Sequence, residues 1–218
     1  VLVFFERIKM KHCILELQNI SYSYHTLSGE TQALDNISFK LMEGDFLAIV
    51  GPSGCGKSTL LSIIAGLIQA EAGSMIFHKK DNETSTPKVG YMLQHDHLLE
   101  WRTVFQNVIL GLEINHCLTE ENLQYVHSLL REYGLEQFKD KRPTELSGGM
   151  KQRAALIRTM ALKPELLLLD EPFSALDYQT RLIVSADICN LIRKSGKTVI
   201  LITHDLSEAV RLSDRIIV

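Results

Sequence analysis

A run of five apolar residues, Phe46-Leu47-Ala48-Ile49-Val50, passes directly into Gly51-Pro52-Ser53-Gly54-Cys55-Gly56-Lys57-Ser58-Thr59. This junction constrains the chain more than any other feature. Five apolar residues without a polar partner describe a strand buried on both faces, the kind found in parallel sheets. The segment that follows satisfies GxxxxGK[ST], and residues 58–67 have helical character after it. Strand, glycine loop and helix in that order are the context of a phosphate-binding loop. Small residues let successive backbone N–H groups wrap phosphate oxygens, and the helix adds its positive end. Lys57 would reach the outer phosphates of a nucleoside triphosphate, and the Ser58 hydroxyl would bind Mg2+. A chance glycine turn beside a surface lysine would match the nine residues, but it would not require the flanking strand and helix.

The rest of the chain alternates in the same way. Residues 13–22, containing ILELQNISY, alternate loosely as a half-buried strand does. Residues 24–31 are polar and carry Gly29, which predicts a hairpin loop, and alternation resumes over 33–40. Glu43-Gly44-Asp45 predicts a turn, and 73–77 and 88–93 predict strands around an exposed loop at 79–88. From 104 to 138 the pattern is helical, with a helix starting at Thr119-Glu120-Glu121 and a break at Gly134. Residues 150–160 and 182–194 predict further helices, 166–169 and 199–203 further buried strands. Strands and helices in alternation give a three-layer α/β core. Residues 215–218 end on an apolar run that reads as a strand, so the natural domain is expected to continue past Val218, and Met10 is a candidate natural start after residues 1–9.

Composition excludes several classes. With 23 basic and 26 acidic side chains the formal net charge is -3, so no basic field marks nucleic acid as the main partner. Cys13, Cys55, Cys117 and Cys189 are scattered without CxxC spacing, which reads as four free thiols in a reducing compartment. No apolar run reaches the roughly 18 to 20 residues that a membrane-spanning helix needs. The opening VLVFF stops at Glu6 and Arg7, short of a signal peptide's apolar region.

Acids and a histidine stand at strand ends, where ligands of parallel sheets gather. Asp170 and Glu171 close the run Leu166–Leu169, and an acid there is costly unless a cation or donor compensates it. Asp170 fits the carboxylate that supports Mg2+; Glu171 fits a general base or water-positioning group. The same pair before Pro172 would also serve as turn acids. His204 ends the 199–203 strand, either hydrogen-bonding the γ-phosphate or as a structural loop histidine. Gln94 ends the 88–93 strand, as a sensor of Mg2+ or the attacking water, or as a solvated loop residue. A second glycine loop, Leu146-Ser147-Gly148-Gly149-Met150-Lys151-Gln152-Arg153, opens a helix. Ser147 and the amides of Gly148 and Gly149 would form a second anion cradle, or simply a capped helix start. One nucleotide does not need two cradles from one chain, which points to a second chain completing the site.

These elements, in this order, resemble the ATP-binding subunits of ABC transporters over essentially all of residues 13–218. The resemblance implies a P-loop NTPase of the ABC ATPase type, with an N-terminal antiparallel β subdomain and an inserted helical subdomain. It divides the chain into a catalytic core (13–94 and 143–218), a helical lobe (95–142) and an N-terminal extension (1–12). Tyr24, in ISYSY, is similar to the aromatic residue that stacks on adenine. GPSGCGKST is similar to the Walker A loop, Gln94 to the Q-loop residue and LLLLDEP to Walker B with Glu171 as the catalytic glutamate. Ser174-Ala175-Leu176-Asp177 resembles the D-loop and His204 the switch histidine. LSGGMKQR resembles the signature, with Met150 where glutamine is commonest. The resemblance further implies ATP and Mg2+ as cofactors. It implies head-to-tail dimers with ATP between the Walker A loop of one copy and the signature of the other, and permease subunits docked on the helical lobe.

The stretch QHDHLLEWRTVFQNV, residues 94–108, is similar to the nitrate, sulfonate and taurine importers, whose version reads close to LLPWRTVxxNV; Trp101-Arg102-Thr103 carries the likeness and Glu100 stands where a proline is usual. That group implies a bacterial importer on the cytoplasmic face of the inner membrane, fed by a periplasmic binding protein. Rival readings are an exporter or lipoprotein-release ATPase, and a soluble ABC ATPase of DNA repair or translation. The last type usually carries two nucleotide domains in tandem or a long coiled-coil insertion, and neither is present in this sequence.

Overall fold

A computed structural model describes residues 12–27, 29–78 and 87–218. The expectations for residues 1–9, and for nearly all of the 79–88 loop, lie outside the described residues. In chain order the elements are β1 (Cys13–Thr26), β2 (Gly29–Met42), β3 (Phe46–Val50), α1 (Lys57–Ile64), β4 (Ala72–Phe77), β5 (Val89–Met92), α2 (Val104–Val108), α3 (Leu110–Ile114), α4 (Glu120–Glu132), α5 (Gly148–Met160), β6 (Leu166–Asp170), α6 (Tyr178–Lys194), β7 (Thr198–Thr203), α7 (Leu206–Leu212) and β8 (Arg215–Ile217).

The strands form two sheets. One is antiparallel, in the order β2-β1-β4; the other has the order β5-β6-β7-β3-β8, and its pairings are all parallel. The uninterrupted apolar strands follow from burial on both faces of the parallel sheet. Successive residues of each strand serve opposite layers. Leu167, Leu169, Val199 and Leu201 pack with α5, α6 and the 104–133 helices. Leu166, Leu168, Ile200 and Ile202 pack with α1 and the antiparallel sheet. A one-residue slip of β6 would keep every position apolar yet move Asp170 off the strand end, so the acid and the turn after it fix the register.

Two boundaries differ from the sequence reading. The predicted loop over 24–31 is largely strand instead: Tyr24 pairs with Thr31 and Thr26 with Gly29, with Leu27 in a turn. Positions 24–27 and 29–32 are exposed, so this hairpin arm has no core face and shows no apolar alternation; backbone pairing and the Thr26 Oγ1 bond to Gly29 O (2.9 Å) hold it. Helix α6 starts at Tyr178, four residues before the predicted 182. Its first turn carries no apolar stripe, and the start is set by Asp177, whose carboxylate caps Thr180 N at 3.0 Å.

The helical stretch from 104 is broken rather than continuous. His116 (φ 52) and Gly134 (φ 70) take left-handed conformations at two of the breaks. Thr103 and Gln106 form a reciprocal capping box at the start of α2. The predicted start at Thr119 holds, with Thr119 Oγ1 accepting from Asn122 N at 3.2 Å. The apolar faces of these helices, through Val104, Val108, Val126 and Leu130, join α5 in one cluster.

Candidate active site

The loop between β3 and α1 is shaped by two left-handed glycines, Gly54 (φ 83) and Gly56 (φ 92). A Cβ on Gly56 would lie 2.2 Å from Ala33 O, so only glycine lets β2 approach the loop this closely. Gly56 is also the N-cap of α1 and supplies no side-chain cap, so the first-turn amides of the helix receive no side-chain acceptor. Those amides and the helix dipole favour an anion at this end. Lys57 is buried and arches back over its own loop. Its Nζ donates to Gly51 O (2.8 Å) and Pro52 O (2.7 Å), with Cys55 Sγ at 3.8 Å.

This loop is one wall of a cleft of about 390 Å³. Tyr24, Ser53, Gly54, Gly56, Lys57, Ser58 and Thr59 line it together with Gln94 and Glu171. Tyr24 is half-exposed, and its hydroxyl shares a 3.1 Å hydrogen bond with Thr59 Oγ1. Thr31, Gln32 and Ala33 of β2 also line the cleft and escaped the sequence reading. The signal that would have found them is the pairing of Tyr24 with Thr31, hidden once that stretch was read as loop.

Two acids that are neighbours in sequence serve different groups. Asp170, 5% exposed, accepts from Ser58 Oγ at 3.1 Å and from Tyr91 Oη at 3.2 Å. Burial raises its pKa above the ordinary carboxylate value; the bonds from Ser58 and Tyr91 and the nearby Lys57 oppose that rise, while the Glu171 charge adds to it. Tyr91 is pushed up to about 12, first by burial and then by the Asp170 charge, so it stays a donor at neutral pH. Sequence reasoning missed Tyr91. It lies on β5 at the register of Leu168, on the strand beside the acid.

At Glu171 the backbone turns left-handed (φ 43), a conformation that costs a non-glycine residue about 1–2 kcal/mol. Its amide donates to Ile202 O at 3.0 Å, extending the β6–β7 pairing by one residue, and its carbonyl accepts from Ser174 N and Oγ. The turn sends the carboxylate away from Asp170 to His204, with Nδ1 and Oε2 2.9 Å apart. His204 is itself fixed from both sides. Thr203 Oγ1 accepts from Asp205 N and donates to the Glu208 carboxylate, and Asp205 caps α7 through Ser207 N and Glu208 N. A carboxylate lining the cleft and an imidazole in contact with it are equipped to orient or deprotonate water.

Ser147, Gly148 and Gly149 do not line the cleft. Ser147 caps α5 by accepting from Met150 N at 3.4 Å, and the glycines have a packing reason of their own. A Cβ on Gly148 would lie 2.9 Å from Leu176 Cδ2, and one on Gly149 2.8 Å from Val184 Cγ2. Ser147 and Gly148 are nevertheless exposed, with α5's first-turn amides behind them.

A family model described as "ABC transporter" matches residues 34–174. An uncharacterised ABC transporter ATP-binding protein of Bacillus subtilis, YtlC, is 46% identical over 202 residues, 93% of this chain and 78% of that protein. The spermidine/putrescine import ATP-binding protein PotA of Lawsonia intracellularis is 43% identical over 95% of this chain and 56% of its own length. The nitrate transport protein NasD of Klebsiella oxytoca is 38% identical over 94% of this chain and 79% of its own length. Among solved structures, the dimeric post-hydrolysis state of the ATP-binding cassette MJ0796 bound to ADP and Pi matches with a TM-score of 0.77 and 33% identity, covering 94% of this chain and 93% of that one. The fold is that of a P-loop nucleotide hydrolase. The chain belongs to the ABC transporter ATP-binding family and is an ATP hydrolase.

Proposed function

We propose that the chain energises a bacterial importer as one of two ATPase copies bound head to tail, with each ATP held between the 51–59 loop of one copy and Ser147, Gly148 and Gly149 of the other. The observation that carries this reading is the exposed, capped start of α5 lying outside a cleft that already brings together Tyr24, the Ser53–Thr59 part of the glycine loop, Gln94 and Glu171. In that arrangement Tyr24 stacks on adenine. Gly51, Pro52, Ser53, Gly54, Cys55, Gly56 and Thr59 wrap the phosphates, and Lys57 bridges the outer two. Glu171, oriented by His204, positions and deprotonates the water, and Gln94 reports the γ-phosphate to the membrane subunits. Phosphoryl transfer asks the protein for positioning and charge stabilisation rather than a covalent intermediate.

Mg2+ fits the donor set. Ser58, Gln94 and Asp170 can each offer a hard oxygen ligand, and Asp170 is a buried acid with no cationic side chain in hydrogen-bond contact among the described residues. Bound there, the ion would neutralise charge developing on the phosphates. Residues 13–94 and 143–218 are the catalytic core and 95–142 the helical lobe that receives the permease, at the cytoplasmic face of the inner membrane. No helix among the described residues is long and apolar enough to cross a membrane, in keeping with a peripheral subunit.

For direction, the PotA likeness supports import; for the solute, the NasD likeness supports nitrate. The Trp101-Arg102-Thr103 turn favours the nitrate, sulfonate and taurine group over polyamines. Copurification with membrane subunits, followed by ATPase assays with nitrate, taurine, an alkanesulfonate and spermidine, tests this. Stimulation by one of the first three supports the assignment. Stimulation by spermidine overturns the solute class, and hydrolysis coupled to outward movement overturns import in favour of an export or lipoprotein-release system.

A further inference from the structure

Helix α5 grips the loop that carries Gln94. Near its C-terminal end the Arg158 guanidinium donates to two consecutive carbonyls of that loop, Asp96 O at 2.6 Å and His97 O at 2.7 Å. The loop needs the grip, because His97 is held left-handed (φ 44), where a residue with a side chain rarely rests. Its local supports are the bond from Leu98 N to Asp96 Oδ1, at 3.0 Å, and an edge-to-face contact between the His95 and His97 rings. At the very next residue, α5 touches the strand leading into the loop: a Cβ on Gly90 would lie 2.8 Å from Thr159 Cγ2.

Beyond the loop the connection continues. Asn107 is fully buried, accepts from Leu99 N (2.7 Å) and donates to Leu99 O, Arg102 O and Thr103 O. It closes 99–103 into a tight turn that exposes Trp101, the chain's single tryptophan. The other end of α5 begins at Gly148. Ten residues of helix separate it from Arg158, a rigid span of about 15 Å.

We propose that Arg158 is a positioning residue that locks the Gln94 loop and the Trp101 turn to the Ser147–Gly149 end of α5, so that all three move as one body when ATP closes the dimer. The guanidinium suits the task because its planar fork holds two carbonyls at fixed separation, which a lysine ammonium does not. The proposal deepens the composite-site reading and rests on it. Its consequence is that closure at Ser147 is felt at Trp101.

Trp101 makes this measurable in the isolated chain. In a Glu171→Gln background, Mg-ATP is added and two signals are followed: dimerisation by light scattering and the emission of Trp101. The starting protein is expected to dimerise with a shift in Trp101 emission. Arg158→Gln is expected to bind ATP within about twofold of the parental affinity and to dimerise, yet lose more than half of that shift. Arg158→Lys, which keeps charge and stem but holds one carbonyl, is expected to fall between. An Arg158→Gln dimer with the full shift, or a starting protein that dimerises with Trp101 silent, overturns the proposal alone. A starting protein that binds ATP and stays monomeric overturns the composite site and this proposal with it. If Arg158→Gln does not fold, Arg158→Lys decides: a full shift assigns Arg158 to stability only, and a partial one supports the coupling.

Discussion

Ser58 on α1 and Asp170 at the end of β6 stand 112 positions apart in the chain and meet through a hydrogen bond of 3.1 Å. The bond joins the phosphate loop's helix to the strand-end acid, and Tyr91 closes the other carboxylate oxygen. An acid kept at 5% exposure between two hydroxyl donors is poorly solvated for its charge. The Mg2+ proposed above would compensate that charge.

The raised pKa of Asp170 has a sign that can be checked. Below the unfolded carboxylate value, about 3.9, the group is protonated in both states and exerts no penalty. As pH rises through the folded value, ionisation in the buried site costs stability that the unfolded chain does not lose. Asp170→Asn removes the ionisation, and the Ser58 and Tyr91 hydroxyls can turn to suit an amide. The variant is therefore expected to be more stable than the parent at pH 7 in metal-free buffer, with the difference vanishing toward pH 4. Urea melts across that range decide it, and a difference that grows on acidification contradicts the burial argument. Mg-dependent ATPase activity should fall at least a hundredfold in the same variant.

The Glu171–His204 contact predicts a division between binding and turnover. Glu171→Gln keeps the shape of the side chain and loses the base, so ATP affinity is expected to hold while hydrolysis falls by about 10²–10⁴. ATP should then trap a dimer visible by size exclusion. Turnover at the parental rate would remove Glu171 from the base role.

In the proposed site Tyr24 would offer two separable contributions, the ring against adenine and the hydroxyl that meets Thr59 Oγ1. Tyr24→Phe is expected to bind ATP nearly as well as the parent. Tyr24→Ala is expected to weaken binding about tenfold, the scale of one lost aromatic stack of 0.5–1.5 kcal/mol. Equal losses in the two variants would shift the weight from the ring to the hydroxyl.

Most of the site was legible because its chemistry is local. The glycine loop, the acids after β6 and the histidine after β7 each announce themselves at a strand end. The parallel strands were equally legible, since burial on both faces leaves an unbroken apolar run. What escaped is what depends on neighbours distant in sequence. Tyr91 and Gln32 enter the site through strand pairing, and a hairpin arm exposed on every side gives no periodic signal. Signature glycines read as an anion cradle also turned out to be sites of close packing against Leu176 and Val184.

That packing role gives a test whose sign reverses. Gly149 is helical, and alanine in place of glycine inside a helix favours folding by about 0.8–1.0 kcal/mol. Here the added methyl would lie 2.8 Å from Val184 Cγ2, a buried, branched side chain on α6 with little freedom to yield. Overpacking of this kind costs about 1–3 kcal/mol, more than the propensity gain. Gly149→Ala alone is therefore expected to destabilise the chain. In a Val184→Ala background the obstructing methyls are gone and the propensity term remains, so the same substitution is expected to stabilise by up to about 1 kcal/mol. Thermal or urea melts of the four proteins in this double-mutant cycle measure the coupling directly. If Gly149→Ala destabilises both backgrounds equally, Val184 is not what demands glycine at the start of α5.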